Sequence, residues 1–276
     1  MKSAILRLLI LAGVIMAFAL AHFSQTGQTQ TAMSGRMFDG ETIKYEAKLN
    51  KILRGLPIAE ITFVATASPD SNQLVIKSEA VSKGTLIKMF GVSFLQQYES
   101  AVDLDLFRIT KTVKHEIQKE RVRDSIADFD YKEKRVTCVE TDPKDKTRQP
   151  RLIASDIPDA MNDYASGLFA VRLMPLAVGQ SFVVPVSDTG FVYKIPINVR
   201  GRELQKTVLG NVWCYRIEPD VFGKGKLIER EGRMMLWYTD DVRHLPVRAT
   251  IETEYGKLDV KLKSYRKAVM GSSDRP

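Results

Sequence analysis

Only two cysteines, three histidines and two tryptophans occur among 276 residues. Cys138 and Cys214 with three scattered histidines make no zinc signature, so no metal is expected. Neither cysteine belongs to a CxxC redox pair. The sequence also lacks a glycine-rich phosphate loop. The G-K-G step at 223–225 has neither the Walker spacing nor a following helix. No G-x-S-x-G elbow and no Ser-His-Asp order can be quoted. Nothing here implies a cofactor or a catalytic residue, and the chain reads as a non-enzyme more readily than as an enzyme. Heptad runs and internal repeats are missing as well. The longest apolar run is shorter than the roughly 20 residues a membrane helix needs.

That run lies at the N-terminus. Lys2 and Arg7 precede the charge-free stretch "LLILAGVIMAFAL" at 8–20, and Ala19 and Ala21 give the small-x-small step of a cleavage site. Residues 1–21 read as a secretory signal, with an uncleaved anchor as the alternative. The chain after cleavage is expected to be exported, periplasmic or on the cell surface, with no further membrane span. No cysteine follows the run directly, which excludes a lipoprotein anchor at that point. Residues 22–37 are polar and aperiodic and read as a flexible leader. A β-rich domain is expected over 38–268, either as one unit or as two lobes joined near 141–176.

The net charge is +8, falling to +6 once Lys2 and Arg7 leave with the signal. An exported basic protein rarely meets nucleic acid. An anionic envelope surface is the fitting partner, unless the charges simply solvate outward strand faces. Export permits a Cys138–Cys214 disulfide, but both sit in apolar strand patterns where free buried thiols fit equally well.

The dominant hydrophobic period is two. Ile43, Tyr45, Ala47 and Leu49 alternate with polar residues, as do Val247, Ala249 and Ile251, and then Leu258, Val260 and Leu262. Such alternation marks strands with one dry and one wet face. Further strands are expected at 58–67, 72–81, 94–103, 106–119, 122–130, 134–140, 180–186, 191–200, 202–208, 211–218 and 232–239. Turn residues separate them, including "RG" at 200–201. The fold class is therefore all-β: a strongly curved antiparallel meander, as a barrel, a half-barrel or two packed sub-sheets. One short helix is expected within 155–176, capped by Ser155 or Asp159 and ended by Pro175. The stretch 140–151 before it reads as an exposed loop.

Four segments resemble the exported bacterial family called domain of unknown function 3108. They are "GETIKYEA" (40–47), "QYESAVD" (97–103), "DYASGLFAVR" (163–172) and "LWYTDDVRHLPVRATIETEYGKLDVKL" (236–262). The third is similar to the family's D-x-x-S-x-x-x-x-x-R helix. Ala59 departs from a glycine common in the family's second strand. The resemblance implies a β-rich periplasmic or cell-surface protein and implies no activity.

Four stretches invite a functional reading. In "WYTDDVRHLPVR", Asp240, Asp241, Arg243 and Pro246 read as a structural turn between strands. The alternative is an acid/base site with His244. "VKHEIQKERVR" at 113–123 reads as a solvated hairpin arm, or as a basic rim for anionic headgroups. "GKGKLIEREGR" at 223–233 reads as a mobile loop. "KGTLIKMFGVSFL" at 83–95 is densely apolar without a clean period. It is either a buried connection or a flap whose Leu86, Met89, Phe90 and Phe94 contact an apolar ligand. The leading functional expectation is a non-enzymatic envelope protein whose concave β scaffold binds a lipid or other amphipathic ligand. Two alternatives stand beside it: an envelope hydrolase or lyase on an acidic polymer, and a structural envelope-assembly partner.

Overall fold

The computed structural model describes residues 35–49, 56–83, 93–254 and 256–268. The signal and residues 22–34 of the expected leader lie outside these residues, while its last three residues, 35–37, belong to a 3-10 turn in which Gly35 is buried. A 3-10 turn at Gly35–Phe38 leads into fourteen strands. The first eight are β1 (Glu41–Leu49), β2 (Leu56–Ala67), β3 (Gln73–Ser82), β4 (Phe94–Asp103), β5 (Arg108–Gln118), β6 (Arg121–Asp130), β7 (Arg135–Thr141) and β8 (Arg151–Asp156). Helix α1 (Tyr164–Arg172) follows. The last six are β9 (Ser181–Asp188), β10 (Phe191–Thr207), β11 (Gly210–Pro219), β12 (Gly232–Thr239), β13 (Pro246–Thr253) and β14 (Gly256–Lys267).

All fourteen strands join one antiparallel sheet in the order β8-β7-β6-β5-β4-β3-β2-β1-β14-β13-β12-β11-β10-β9. The first and last strands of the chain pair at its centre, and two meanders run outward from them. β8 and β9 are the two edges and do not pair, so the sheet is not a closed barrel. Register shifts at Lys44/Tyr45, Ala47/Lys48 and Ala101/Val102 add the local twist that coils it. The coiling brings the β9–β10 turn onto the inner face of β7 and β8. Gly190, at φ +82°, approaches so closely that a Cβ there would lie 2.7 Å from that of Cys138. Only glycine meets both the dihedral and the space.

The alternation places Ile43, Tyr45, Ala47 and Leu49 in the core with Leu258, Val260 and Leu262. α1 lies inside the coil, and all nine of its residues are buried. Phe38, Phe63 and Phe169 pack edge-to-face around it at 5.2–6.3 Å between ring centres.

Several expectations are corrected. The stretch 191–207 is one long strand rather than two. Arg200 is an extra residue between the pairs Val199–Ile217 and Gly201–Arg216, so "RG" makes a bulge and not a turn. Residues 151–156 form the edge strand β8, with Ser155 opposite Val136. The helix therefore starts later than expected and is capped by Asp163, not by Ser155 or Asp159. Cys138 and Cys214 are both free and buried. Burial raises the Cys138 thiol to about 11 and the Cys214 thiol to about 12, with nearby carboxylates adding to both.

Candidate functional site

Both ends of α1 are fixed by buried charge. At the N-terminus, Asp163 accepts the backbone N–H groups of Ala165 and Ser166 at 3.1 and 2.9 Å, and the Ser166 hydroxyl bonds the Asp163 N–H in return. Its second oxygen accepts the hydroxyls of Ser100 and Thr112 at 2.5 and 2.6 Å. At the other end Arg172, fully buried, makes a two-pronged pair with Glu41 at 2.6 and 3.0 Å. Its Nε donates to the Arg243 carbonyl, and its guanidinium lies 4.4 Å from the Phe38 ring centre. The Tyr265 hydroxyl donates to the same Glu41 at 2.8 Å. Burial, helped by Glu41, raises that hydroxyl to about 12. The aspartate, serine and arginine of the 163–172 motif are thus anchors of an internal helix.

The β12–β13 connection sits against the C-terminal end of α1. Asp241 accepts the Arg243 backbone N–H at 3.0 Å, the Thr239 hydroxyl at 2.9 Å and the Arg243 guanidinium at 3.0 and 2.5 Å. Thr239 in turn accepts the Leu245 N–H at 2.8 Å. Burial opposes ionisation of Asp241, but its hydrogen bonds with Arg243 and Thr239 outweigh it and hold the carboxyl low. Asp240 is tied to Arg202 and Tyr215, which lower its carboxyl too. His244 sits at φ +40° with Nδ1 3.1 Å from the Arg172 carbonyl, and burial lowers its pKa. Pro246 accepts the Tyr45 hydroxyl through its carbonyl at 2.8 Å. Every acid at this turn is already bonded to a neighbour. Asp241→Ala is expected to cost about 0.5–2 kcal/mol, as loss of a side-chain cap does. Urea denaturation measures the cost, and any ligand binding should persist in the folded fraction.

The other end of the coil holds a basin that the sequence did not reveal. Cross-strand register aligns Tyr98, Lys114, Ser125 and Glu140 across the inner faces of β4 to β7. The next row outward is Gln96, Glu116 and Arg123. Lys114 Nζ lies 3.1 Å from Glu116 and 3.4 Å from Asp188, which the β9–β10 hairpin delivers from the far edge of the sheet. The Tyr98 ring centre is 5.3 Å from the same ammonium. Burial would lower the Lys114 pKa, but Asp188, Tyr98 and Glu116 outweigh it and raise the pKa. Arg123 pairs with Asp142 and, at 3.8 Å, with Glu140. Side-chain exposures of 12–18% for Arg123, Lys114, Glu140 and Glu116 leave the basin in contact with solvent.

This corrects the solvated-arm reading of 113–123. Lys114 and Glu116 point into the coil, while Val113 and His115 stand on the outer face, where His115 bonds Asp124. A cleft of about 620 Å³ crosses that outer face, with Lys77–Glu99 paired beside Val64 and Val113. In the 83–95 stretch, Leu86, Met89 and Phe90 lie outside the described residues, and Phe94 opens β4 as a buried core residue. Phe222 and Ile228 bridge across the 223–233 region and are buried, so part of that connection packs on the core. Among the described residues no group of three or more acids, histidines or cysteines is placed to hold a metal ion. No described helix is long and apolar enough to cross a membrane.

Residues 44–263 match the family model described as protein of unknown function, DUF3108. The chain belongs to the DUF3108 family. Among solved structures it is similar to a beta-barrel-like protein of domain of unknown function DUF1849 from Brucella abortus. The TM-score is 0.58 at 10% identity, over 84% of this chain and 98% of that one. A protein of YmcC-like fold from Bacteroides fragilis aligns over 90% of this chain and all of its own at 10% identity, with a TM-score of 0.32. At these identities the first likeness concerns the fold alone, and the second carries no argument. None of the curated proteins matches. The DUF3108 match brackets both anchors of α1 and the whole basin.

Proposed function

We propose that this DUF3108 protein is a non-enzymatic component of the cell envelope whose basin seats the polar end of an amphipathic ligand. The observation that carries this reading is the inward-facing row Tyr98–Lys114–Ser125–Glu140. Inward positions of a coiled sheet are ordinarily apolar, because burying charge costs free energy unless every charge finds a partner. Here three facing strands and a hairpin from the opposite edge spend that cost at one place. Perturbed ionisable groups gathered on the inner face of a coiled sheet, and still partly open to solvent, point to a ligand. A hydrolase or lyase at 239–244 is less well supported, since Asp240 and Asp241 are engaged and His244 leans on a backbone carbonyl. Export follows from the Lys2–Ala21 pattern. The unbroken sheet favours reading 38–268 as one unit.

Mass spectrometry of small molecules that copurify with the native protein tests this reading. An amphipathic species is expected in stoichiometric amount. It should be lost from a Lys114→Met/Glu116→Gln/Asp188→Asn variant, which removes the ammonium together with both carboxylates that face it and so leaves neither of them a lone buried ion. Retention of the species by the folded variant would sink the basin as its seat.

A further inference from the structure

The β10–β11 hairpin runs past the end of β12. β11 pairs with β12 only from Cys214 to Ile217, while β10 and β11 stay paired down to Thr207–Gly210. The overhanging tip lies above the outer face of β13, β14 and β1, and a cleft of about 650 Å³ separates them. The cleft is lined by five cations, Lys48, Lys206, Arg248, Lys261 and Lys263, against two carboxylates, Glu46 and Asp259. Each carboxylate is already shared. Glu46 lies 3.3 Å from Lys48 and 3.6 Å from Lys263, and Asp259 takes Arg248 at 2.8 Å and Lys261 at 3.4 Å. An excess of three positive charges therefore faces one concavity. Arg248 also donates to Gln205 of the hairpin at 3.3 Å, which ties the overhang to the sheet.

The second observation is independent of charge. The same hairpin exposes three large apolar side chains, Leu204 at 53%, Val208 at 56% and Trp213 at 49%. Leu204 and Trp213 stand opposite each other on the hairpin face turned away from Gln205, and Val208 at the tip also lines the basic cleft. The Arg202 guanidinium lies 4.4 Å from the Trp213 ring centre. A protruding tryptophan and aliphatic pair beside a surplus of lysines matches the two components of an anionic membrane surface. Acyl chains near the interface accept the ring and the aliphatic groups, and phosphates meet the ammonium groups.

We propose that the β10–β11 hairpin and the cleft beneath it dock the protein on a bilayer surface rich in anionic phospholipid. Binding here is separate from the basin and does not depend on what the basin holds. Lysine stems lie along the apolar surface while their ends reach the headgroup phosphates.

The test uses the full chain and vesicles of phosphatidylcholine alone or mixed with phosphatidylglycerol. Residues 1–34 contain no tryptophan, so fluorescence ignores the apolar run at 8–20. Of the two tryptophans, Trp237 is 5% exposed, so Trp213 is the reporter. Emission should shift to the blue and be quenched by brominated lipid on anionic vesicles, and the effect should weaken with added salt. Combined Lys206→Glu, Lys261→Glu and Lys263→Glu should lower partitioning on the order of a hundredfold. Trp213→Phe should remove the fluorescence shift with an unchanged circular dichroism spectrum. Equal response to neutral vesicles would overturn the proposal. So would an undiminished Trp213 blue shift in a folded triple variant. A fluorescence response to millimolar inorganic phosphate without any response to vesicles would leave a free-anion site only, and would also overturn it.

Discussion

Arg172→Ala is expected to destabilise the protein by about 3–5 kcal/mol, the cost of stranding one member of a buried ion pair. Glu41 is 2% exposed and would be left buried with only the Tyr265 hydroxyl to meet it. The substitution also removes the Nε bond to the Arg243 carbonyl and the guanidinium packed on Phe38 and Phe169. A loss of that size is a large share of the roughly 5–15 kcal/mol that holds a typical domain together. Arg172→Lys should recover only part of it, because an ammonium cannot reproduce the two-pronged geometry or the third bond. Glu41→Leu with Arg172→Met should be more stable than Arg172→Ala, since no lone charge is left behind. Urea denaturation of the four proteins measures these differences. A cost below about 1 kcal/mol for Arg172→Ala would falsify the anchoring role, because a solvated pair is worth no more than that.

The strand pattern was legible because the sheet has one wet and one dry face over most of its length. Where a strand deviates from that rule, sequence reasoning failed for a physical reason. β8 reads "RLIASD", and only Ile153 of its apolar residues is buried, because an edge strand has half the packing neighbours of an interior one. β10 looked like two strands because glycine and arginine at 200–201 imitate a turn. A bulge uses the same residue types while the ladder continues on both sides.

The basin was illegible for a sharper reason. Alternation in β5 separates Val113, His115 and Ile117 from Lys114 and Glu116, and pattern alone assigns the apolar set to the interior. The register does the reverse. Val113 is 39% exposed, and Lys114 faces the coil because Asp188 arrives from a hairpin 74 residues away. No local signal announces that partner. The anchors of α1 were half legible. The D-x-x-S-x-x-x-x-x-R pattern marked Asp163, Ser166 and Arg172, but Glu41 lies 131 residues from its arginine. At the 239–244 turn, Asp241 bonds residues within two positions, whereas Asp240 bonds Arg202 and Tyr215 far outside the turn.

Asp163→Ala is the second large expected effect, at about 3–7 kcal/mol. One part is the helix cap, which ordinarily costs about 1 kcal/mol to lose. The larger part comes from Ser100 and Thr112. Both donate to the same Asp163 oxygen, both are buried, and each hydroxyl left without a partner costs about 1–3 kcal/mol. The cap and the cross-strand bonds use different oxygens of one carboxylate, so Asp163→Asn separates them. The amide oxygen can still cap the helix, while its NH₂ meets two hydroxyls that must reverse their roles to accept. Asn is therefore expected to fall between wild type and Ala. Ser100→Ala with Thr112→Val in the Asp163→Ala background should recover part of the loss by removing the orphaned hydroxyls, although the same pair of changes in the wild-type chain should destabilise it. That reversal of sign is the signature of a carboxylate joining an internal helix to the sheet around it. Additive costs in chemical denaturation would instead assign Asp163 to the helix end alone.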